Sequence, residues 1–473
     1  MKKPNMMEAR RRTKEKTKII TDAYFIPKEI KNCGRGLKYY LRTYGCQMNL
    51  RDSESISAIL EDLGYIKTLN DQEADLIILN TCAVRENVHN KVFGLLGLYK
   101  HYKKKKPNLL LGLCGCMAQE EVVINKIIKE IKHLDFVFGT HNIHLLPSIL
   151  KEYQEKKKMI VNVLSNEGNI YENIPLKREH PYKAFVNITY GCDKFCTYCI
   201  VPYTRGKERS RQPEDIFKEV KGLLKKGYLE ITLLGQNVNA YGKDFLDKKY
   251  RLENLLEDLA KTGIKRLRFL TSHPWDFTEE MIDVIEKYDN IMPHIHLPVQ
   301  SGSNKILKLM GRRYSKEEYL TLYKKIKDKI TKVAITTDII VGFPYEDEKD
   351  FEETLSLVKE CQFDGAFIFI YSPREGTPAF NMEDKVSLTV KKERFYKLHQ
   401  LTNQYTKESN LKLQNKIVSV LIEGYSNNKE LLTGYTDTFK VINVKGSSSL
   451  IGQIVKVKVT KVRTWSLYGE VVN

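Results

Sequence analysis

The chain of 473 residues is 42% hydrophobic, which is enough for two to four domains with buried cores. It has no apolar run long enough to span a membrane, and residues 1–20 lack the apolar segment of a secretory signal, so we expect neither a membrane protein nor a secreted one. The net charge of +19 suggests a polyanionic partner, with a generally lysine-rich composition as the alternative. Nine unevenly clustered cysteines indicate a reducing, cytoplasmic setting.

Residues 1–35 are polar and basic, and this composition predicts a disordered leader. From there to residue 151 the chain alternates strand and helix patterns. We expect strands at Lys38–Thr43, Asp75–Leu79, Leu109–Leu113 and Phe136–Phe138, and helices at Asp52–Leu63, Glu86–Tyr102 and Glu120–Ile131. This order predicts an α/β domain with a parallel sheet over residues 36–151. Residues 152–180 lose the alternation, and we interpret them as a linker.

A second alternation over residues 181–408 predicts another α/β domain. Its expected strands are Ala184–Thr189, Glu230–Leu234, Arg266–Leu270, His294–Leu297, Val333–Val341 and Ala366–Tyr371. A helix at Pro213–Lys226 begins with proline in its first turn. Six strands at this spacing predict an open or partial (β/α) barrel, with the chemistry at the carboxyl ends of the strands.

The last segment, residues 409–473, changes to a period of two, as in Val455, Val457 and Val459 alternating with lysines. Glycines punctuate these short strands, and the pattern predicts a small antiparallel β-barrel. The segment has nine basic and four acidic residues, a net charge of +5. A basic small barrel suits the binding of single-stranded or looped RNA, and a solubilising cap is the alternative.

The most informative motif is the C-x3-C-x2-C run formed by Cys192, Cys196 and Cys199. Three thiolates at this spacing can hold three irons of a [4Fe–4S] cluster and leave the fourth iron open. The known use of the spacing is to bind S-adenosylmethionine at the open iron and cleave it with one electron, which releases a 5′-deoxyadenosyl radical. A zinc site is the rival, but zinc sites usually pair two C-x-x-C motifs.

Three further cysteines, Cys46, Cys82 and Cys116, each follow an expected strand of the first domain. Loops at the carboxyl edge of a parallel sheet converge, so these thiols could share a second cluster with one open iron. Separate buried cysteines are the alternative reading. Cys114 competes with Cys116 on spacing alone, and we interpret Cys33 and Cys361 as structural.

Several motifs together resemble the methylthiotransferase family, and within it the branch that acts on dimethylallyl-adenosine in tRNA, the MiaB type. The motifs that carry the resemblance are Thr43–Asn49 with Asp52 and Ser53, Asn80–Glu86, Gly115–Gln119, Cys199–Gly206 with Glu208–Arg211, Leu234–Asn239, Thr271–Pro274 and Leu297–Ser303. They occur in both α/β segments, and the resemblance extends over residues 37–473.

The resemblance implies an N-terminal cluster domain, a radical S-adenosylmethionine partial barrel and a C-terminal TRAM domain that grips tRNA. It implies two [4Fe–4S] clusters. The auxiliary cluster is held by Cys46, Cys82 and Cys116, because the family motif matches Cys116 and not Cys114. The radical cluster is held by Cys192, Cys196 and Cys199. The implied reaction converts N6-dimethylallyl-adenosine at position 37 of tRNA to its 2-methylthio derivative with two molecules of S-adenosylmethionine. It also implies a low-potential electron donor and a sulfur donor.

Other residues are candidates for single contacts. Gln236 and Asn237 could contact the methionine part of S-adenosylmethionine, Asp338 its ribose and Gly342 its adenine. The alternative for each is a residue that supports a neighbouring contact residue or forms the turn at the end of a strand. Arg205, Arg209 and Arg211 could contact RNA phosphate or form a solvated charge run. We expect His273, His294 and His296 to pack in the partial barrel rather than to act as ligands. We also expect Tyr198 to shield the cluster and Trp465 to pack in the core of the small barrel. We expect no catalytic triad and no carboxylate pair.

Two rival functions stay open. A sister methylthiotransferase would act on threonylcarbamoyl-adenosine in tRNA or on a ribosomal-protein aspartate. A non-catalytic iron–sulfur protein would bind RNA or sense redox state. For the leader, a disordered tail and a tRNA-contacting arm are the two readings.

Overall fold

The computed structural model describes residues 1–11, 16–84, 86–165, 168–247, 249–426 and 429–472. The α/β architecture expected for the first two segments and the small barrel expected for the last are both observed. The elements up to residue 171 are α1 (Met6–Arg11), β1 (Ile19–Ile20), β2 (Lys38–Thr43), α2 (Gln47–Asp62), β3 (Ile66–Lys67), β4 (Leu76–Thr81), α3 (Glu86–Lys105), β5 (Leu110–Gly115), α4 (Glu121–Glu130), β6 (Phe136–Phe138), α5 (Leu146–Lys156), β7 (Ile160–Asn162) and β8 (Ile170–Tyr171).

The first domain is built on a six-stranded parallel sheet in the order β3-β2-β4-β5-β6-β7. Every residue of β4 is buried, because helices cover both faces of a parallel sheet. Ile56 and Ile59 of α2 pack with α5 on one face, and Val92 of α3 and Ile124 of α4 pack on the other. The carboxyl ends of β2, β4 and β5 are therefore adjacent at one edge.

Two segments differ from their sequence-based interpretation. The range 152–180, expected as a linker, contains β7, which completes the sheet, and β8. The leader, expected to be disordered, forms backbone hydrogen bonds in its described part: the Lys2 amide donates to the Val161 carbonyl at 2.8 Å, and β1 pairs with β8. Backbone pairing does not depend on side-chain polarity, so composition gave no signal of it.

Helix α1 of the leader covers the junction between the first and second domains. Met6 and Ala9 pack in one apolar cluster with Cys116 of the first domain and Tyr203 of the second. The Met6 Cε atom lies 2.5 Å from the position that a Cβ on Gly376 would take. The leader is thus a third component of the domain boundary.

The second domain extends from residue 183 to 411. Its elements are β9 (Lys183–Asn187), β10 (Thr189–Tyr190), α6 (Val201–Thr204), β11 (Arg209–Ser210), α7 (Pro213–Lys225), β12 (Glu230–Leu234), α8 (Leu252–Ala260), β13 (Arg266–Phe269), α9 (Glu279–Lys287), β14 (His294–His296), α10 (Asn304–Leu309), α11 (Lys316–Lys329), β15 (Ala334–Val341), α12 (Glu348–Cys361), β16 (Gly365–Ile370) and α13 (Leu388–Leu411).

Its strands form two three-stranded parallel sheets, β9-β12-β13 and β14-β15-β16. Backbone hydrogen bonds between Leu267 and the chain just before β14 connect them, at 2.7 Å to the Asn290 carbonyl and 2.8 Å from the Met292 amide. Helices pack on the outer face, where Leu233 and Ile339 lie in the core. Six strands in sequential order form the expected partial barrel.

The C-terminal elements form a closed five-stranded barrel in the order β17-β18-β19-β21-β20. Their bounds are β17 (Ile417–Tyr425), β18 (Leu432–Thr436), β19 (Val441–Lys445), β20 (Ile454–Val462) and β21 (Leu467–Val471). Two buried arginines of β13 reach into this barrel: Arg266 donates to the Tyr435 carbonyl at 2.9 Å, and Arg268 donates to the Thr436 carbonyl at 2.7 Å. The small barrel therefore packs against the amino-terminal end of the partial barrel. Within the described residues, no helix is long and apolar enough to cross a membrane.

Candidate active site

The first cysteine trio lies at the carboxyl edge of the first sheet. Cys46 caps the start of α2, Cys82 directly follows β4, and Cys116 directly follows β5. Because β2, β4 and β5 are neighbours that run in parallel, the fold brings the three cysteines together. Gly45 has φ +127°, and a Cβ there would lie 3.0 Å from Cys82 Cβ, so the loop needs glycine at this approach.

Two buried asparagines tie these loops together. The Asn49 amide donates to the carbonyls of Tyr44 at 2.8 Å and Thr81 at 3.0 Å. The Asn80 amide donates in return to the Asn49 carbonyl at 2.8 Å and to Ser53 Oγ at 2.9 Å. Buried amides that donate to two different loops fix the geometry of those loops, which a site built from several thiols requires.

Cys114 and Cys116 lie in different surroundings. Cys114 is buried in the core under α2 with Ile56 and Phe136. Cys116 instead faces the second domain, next to Ile200 and Tyr203. The geometry therefore groups Cys116, and not Cys114, with Cys46 and Cys82.

The second cysteine trio lies on the loop after β10. Gly191 opens this loop with φ +73°, and a Cβ there would lie 2.0 Å from the Lys207 carbonyl oxygen. The Thr197 amide donates to the Met310 carbonyl at 2.9 Å, and the Cys199 amide donates to the Cys196 carbonyl at 2.9 Å. The loop is thus anchored at both ends, and its three thiols face one another across a short turn.

Two buried arginines contact the thiols, and no sequence pattern predicts these contacts. Arg312 donates through Nη1 to Cys196 Sγ at 3.5 Å and through Nη2 to the Pro298 carbonyl at 2.9 Å. Arg205 donates through Nε to Cys116 Sγ at 3.1 Å, although it follows the second trio in sequence. A guanidinium beside sulfur favours the thiolate form, which is the form that ligates metals.

The pKa values of the thiols affect whether they can bind a metal. Burial raises the pKa of Cys116 and of Cys199 to about 12, and it raises the pKa of Cys192 well above its usual value. Neutral thiols are therefore favoured unless a strong local positive charge is present, as a bound metal provides. Among the described residues no three His, Cys, Asp or Glu side chains can hold one metal ion.

Gln236 and Asn237, predicted as cofactor contacts, lie beside the second trio and already have protein partners. Gln236 Oε1 accepts from the Gly191 amide at 2.6 Å, and its Nε2 contacts the sulfur of Met48. Asn237 is buried and donates to Asp276 Oδ2 at 2.6 Å. Gln236 therefore positions the start of the cysteine loop, and Asn237 supports the wall behind it.

Asp338 and Gly342, also predicted as cofactor contacts, lie on β15 and directly after it and have different surroundings. Asp338 faces the inside of the partial barrel, where its Oδ2 lies 3.4 Å from His296 Nε2. Gly342 has φ +68°, and a Cβ there would lie 2.3 Å from Lys391 Cγ of α13. The close approach that requires glycine at this position is therefore made by a side chain of the protein itself.

A cavity of about 540 Å³ occupies the inside of the partial barrel and connects the parts described so far. Gln47, directly after Cys46, lines one end, and Trp465 of the small barrel lines the other. The remaining lining residues include Thr271, His294, His296, Thr336, Asp338, Phe367, Phe369, Tyr435, Phe439 and Lys440. The barrel interior thus offers space for a ligand between the small barrel and Gln47 of the first domain.

The basic run after the second trio does not face solvent, so its expected role at RNA phosphate is wrong, as is the alternative of a solvated charge run. Arg205, Arg209 and Arg211 are all buried. Arg209 donates to the Arg205 carbonyl at 3.0 Å, and Arg211 pairs with Glu172 at 2.6 Å and Glu219 at 2.7 Å. These three arginines instead form buried contacts that connect the first and second domains.

Of the remaining single-residue predictions, the one for Trp465 is wrong: its side chain is 54% exposed at the cavity instead of packing in the small barrel. His273 and His294 are buried as expected, and His296 is half-buried at the cavity. Tyr198 packs edge-on against Phe343 at 6.3 Å between ring centroids, beside the cysteine loop.

Family models match all three parts of the chain. The Radical SAM superfamily matches residues 186–358, the Uncharacterized protein family UPF0004 matches residues 38–139, and the TRAM domain matches residues 412–472. A tRNA-2-methylthio-N(6)-dimethylallyladenosine synthase of Bacillus cytotoxicus is 56% identical over 471 residues, which cover 99% of this chain and 92% of that protein. The protein of that name from Geobacillus kaustophilus is also 56% identical, over 99% of this chain and 88% of its own length.

Among solved structures, the radical S-adenosylmethionine methyltransferase TsrM of Kitasatospora setae, with cobalamin and a [4Fe-4S] cluster bound, superposes with a TM-score of 0.52. It is 11% identical, and the match covers 73% of this chain and 77% of that one. This likeness concerns the fold alone.

Proposed function

This chain belongs to the tRNA-2-methylthio-N(6)-dimethylallyladenosine synthase family and contains a radical S-adenosylmethionine domain, and from that premise we propose that it methylthiolates C2 of N6-dimethylallyl-adenosine at position 37 of tRNA. The observation that carries the proposal is the pair of cysteine trios, one from each α/β domain, at the two sides of one interface. An aromatic C2–H is not acidic enough for ordinary base catalysis, so its replacement calls for radical chemistry.

In this proposal each trio holds one [4Fe–4S] cluster. Cys192, Cys196 and Cys199 hold the radical cluster, and Cys46, Cys82 and Cys116 hold the auxiliary one. When bound, the radical cluster supplies the electron that cleaves S-adenosylmethionine, and the auxiliary cluster offers an open iron for the incoming sulfur. Two molecules of S-adenosylmethionine are used, one for hydrogen removal and one for the methyl group.

The residues of the chain orient these groups and exclude water. Arg312 and Arg205 donate hydrogen bonds to Cys196 and Cys116 and so fix the orientation of these two thiols. Gln236 accepts a hydrogen bond from the backbone amide of Gly191 at 2.6 Å and thereby fixes the start of the loop that carries the second cysteine trio. Met48 meets Gln236 from the first domain, so this contact also sets the two trios relative to each other.

The substrate enters through the cavity between the partial barrel and the small barrel. Gln47, the residue after the proposed ligand Cys46, lines this cavity, and so does Trp465 of the small basic barrel. A base at position 37 must leave the anticodon-loop stack to reach the barrel interior, as in other enzymes that act on bases. We assign tRNA gripping to the TRAM domain, and a low-potential electron donor and a sulfur donor complete the proposed reaction in the cytoplasm.

The test is anaerobic turnover of the reconstituted chain with S-adenosylmethionine, reductant and tRNA bearing dimethylallyl-adenosine, followed by nucleoside mass spectrometry. We expect a methylthio mass gain on that nucleoside together with 5′-deoxyadenosine. Cys46→Ala should still form 5′-deoxyadenosine but give no methylthio product, whereas Cys196→Ala should form neither. Methylthio product from Cys46→Ala at normal yield would remove Cys46 from the proposed ligands. Absence of 5′-deoxyadenosine from protein with a full radical cluster would overturn the enzyme proposal.

A further inference from the structure

Strand β16 has two faces of opposite exposure. Ile368 and Ile370 pack toward the core of the second domain. Phe367 and Phe369 point the other way into the barrel cavity, where they are 56% and 41% exposed. Scattered exposed apolar residues are ordinary on a convex surface, but two phenylalanines side by side on the wall of a cavity indicate a ligand-contact surface.

The neighbouring walls of this cavity are polar. Asp338 Oδ2 lies 3.4 Å from His296 Nε2, and Thr336 Oγ1 lies 3.2 Å from His294 Nε2 and 3.0 Å from His296 Nδ1. The ring of Phe367 meets that of His296 nearly at a right angle, with 6.0 Å between centroids. The cavity therefore offers hydrogen-bonding groups on β14 and β15 and an apolar surface on β16. A ligand that fits it combines a polar heterocycle with an apolar substituent.

The ends of the cavity limit the choice of ligand. Gln47 is adjacent in sequence to Cys46, so one end reaches the proposed sulfur site. Trp465 and Phe439 at the other end belong to the small barrel, and Lys440 there is paired with Asp364 at 3.6 Å. Aromatic side chains on the wall of a cavity are typical stacking surfaces for the bases of single-stranded nucleic acid. The ligand is thus a nucleotide that enters from the small barrel.

We propose that Phe367 and Phe369 form the contact surface for the dimethylallyl group of the substrate adenosine and thereby select prenylated tRNA. The inference rests on the proposed function and identifies the part of the chain that recognises the modification. An unmodified adenosine leaves this surface exposed to water. A threonylcarbamoyl group would bring its carboxylate against phenylalanine, where an unpaired charge loses its hydration without compensation.

The experiment measures binding rather than turnover. Anticodon stem-loop RNA with either dimethylallyl-adenosine or adenosine at position 37 is titrated into the reconstituted full-length chain, and the ratio of the two Kd values gives the prenyl discrimination. We expect Phe367→Ser and Phe369→Ser each to reduce this ratio by about tenfold, since each ring covers part of a five-carbon group. Phe367→Leu keeps an apolar surface and should retain most of the discrimination. Phe25→Ser, at an exposed phenylalanine outside the cavity, is the matched control and should change nothing.

The outcomes separate this inference from the proposed function. An unchanged Kd ratio in both serine variants overturns the inference even if the wild-type chain makes methylthio product. A weaker Kd for S-adenosylmethionine with an unchanged RNA ratio also overturns it, because the two rings would then contact the cofactor. If wild-type chain binds prenylated RNA preferentially and the serine variants lose that preference, the inference stands even where turnover fails.

Discussion

Arg205 donates a hydrogen bond to the thiol of Cys116 across the boundary between the first two domains, with 3.1 Å between Nε and Sγ. The same guanidinium binds Asn49 Oδ1 at 2.6 Å and Asp52 Oδ2 at 2.7 Å through Nη2. Both charged partners are buried. One side chain of the radical domain therefore serves as hydrogen-bond donor to the auxiliary site and as counter-ion to the helix that follows Cys46.

Replacing Arg205 by glutamine should weaken both the domain interface and the auxiliary site. The substitution leaves the Asp52 carboxylate buried without its cation, which costs about 3–5 kcal/mol. We expect a lower free energy of unfolding in urea and a loss of auxiliary iron in a chain that carries Cys192→Ala, Cys196→Ala and Cys199→Ala. Arg313→Gln, at an exposed arginine, is the control. Wild-type iron content and stability in the Arg205 variant would show that its contacts are dispensable.

Cys114 and Cys116 should differ in their effect on iron. Cys116→Ala is expected to remove about half of the bound iron, because one of two clusters loses a ligand. Cys114→Ala is expected to keep the iron and to cost stability through a small cavity in the core beneath α2. Iron and acid-labile sulfide determination on purified, anaerobically reconstituted chains distinguishes the two. Full iron content in Cys116→Ala would contradict the assignment of that thiol.

Stability should fall in mild acid partly through His144. Burial lowers the pKa of this histidine to about 4, and its ring stacks on Tyr171 at 4.0 Å between centroids. Between pH 6.5 and 4 the unfolded chain binds a proton that the folded chain does not, so stability is full above pH 6.5 and declines as the pH falls toward 4. At pH 5.5 the loss is about 1 kcal/mol.

The measurement is urea unfolding at pH 7.5 and pH 5.5. His144→Gln should show a smaller difference between the two pH values than the wild-type chain does. His101→Gln, at an exposed histidine, should keep the wild-type difference. An unchanged difference in His144→Gln would mean that other groups dominate the acid sensitivity.

The small barrel should contribute to tRNA affinity through its charge. Lys456 and Lys458 lie exposed on the outer face of β20. Replacing both by glutamine should weaken tRNA binding and reduce the slope of log Kd against log salt by about one to two, because each lost phosphate contact removes about 0.7–0.9 from the slope. Lys218→Gln with Lys221→Gln on α7 changes the net charge equally and is the control. Equal slopes in the two double variants would place the RNA on another surface.

Much of the fold could be predicted because parallel strands and helices have different periods. The expected strand Phe136–Phe138 has the observed bounds, and the expected helix Pro213–Lys226 ends one residue later than the observed one. The convergence of Cys46 and Cys82 with the third thiol followed from the rule that loops at the carboxyl edge of a parallel sheet meet. These features depend on residues that are close in sequence or on one general rule of topology.

What could not be predicted depends on partners that lie far apart in the chain. In sequence, the run from Arg205 to Arg211 resembles a solvated charge cluster. Its ion-pair partners Asp52 and Glu172 lie far away in the chain, so no local pattern predicts that the run is buried. Trp465 reads as a core residue because large aromatics usually are, and only the position of the small barrel on the partial barrel leaves it at a cavity.

The position of helix α1 has a consequence for the order of events during synthesis. Met6 and Ala9 reach their final contacts only when Tyr203 and Gly376 are present, long after they have left the ribosome. The backbone amides of Asn5 and Met6 also donate to Ser165 Oγ at 2.6 Å and Glu121 Oε2 at 3.2 Å, both in the first domain. The start of the chain can therefore settle on the first domain before the second domain is synthesised, and the second domain then folds against a surface that already includes α1.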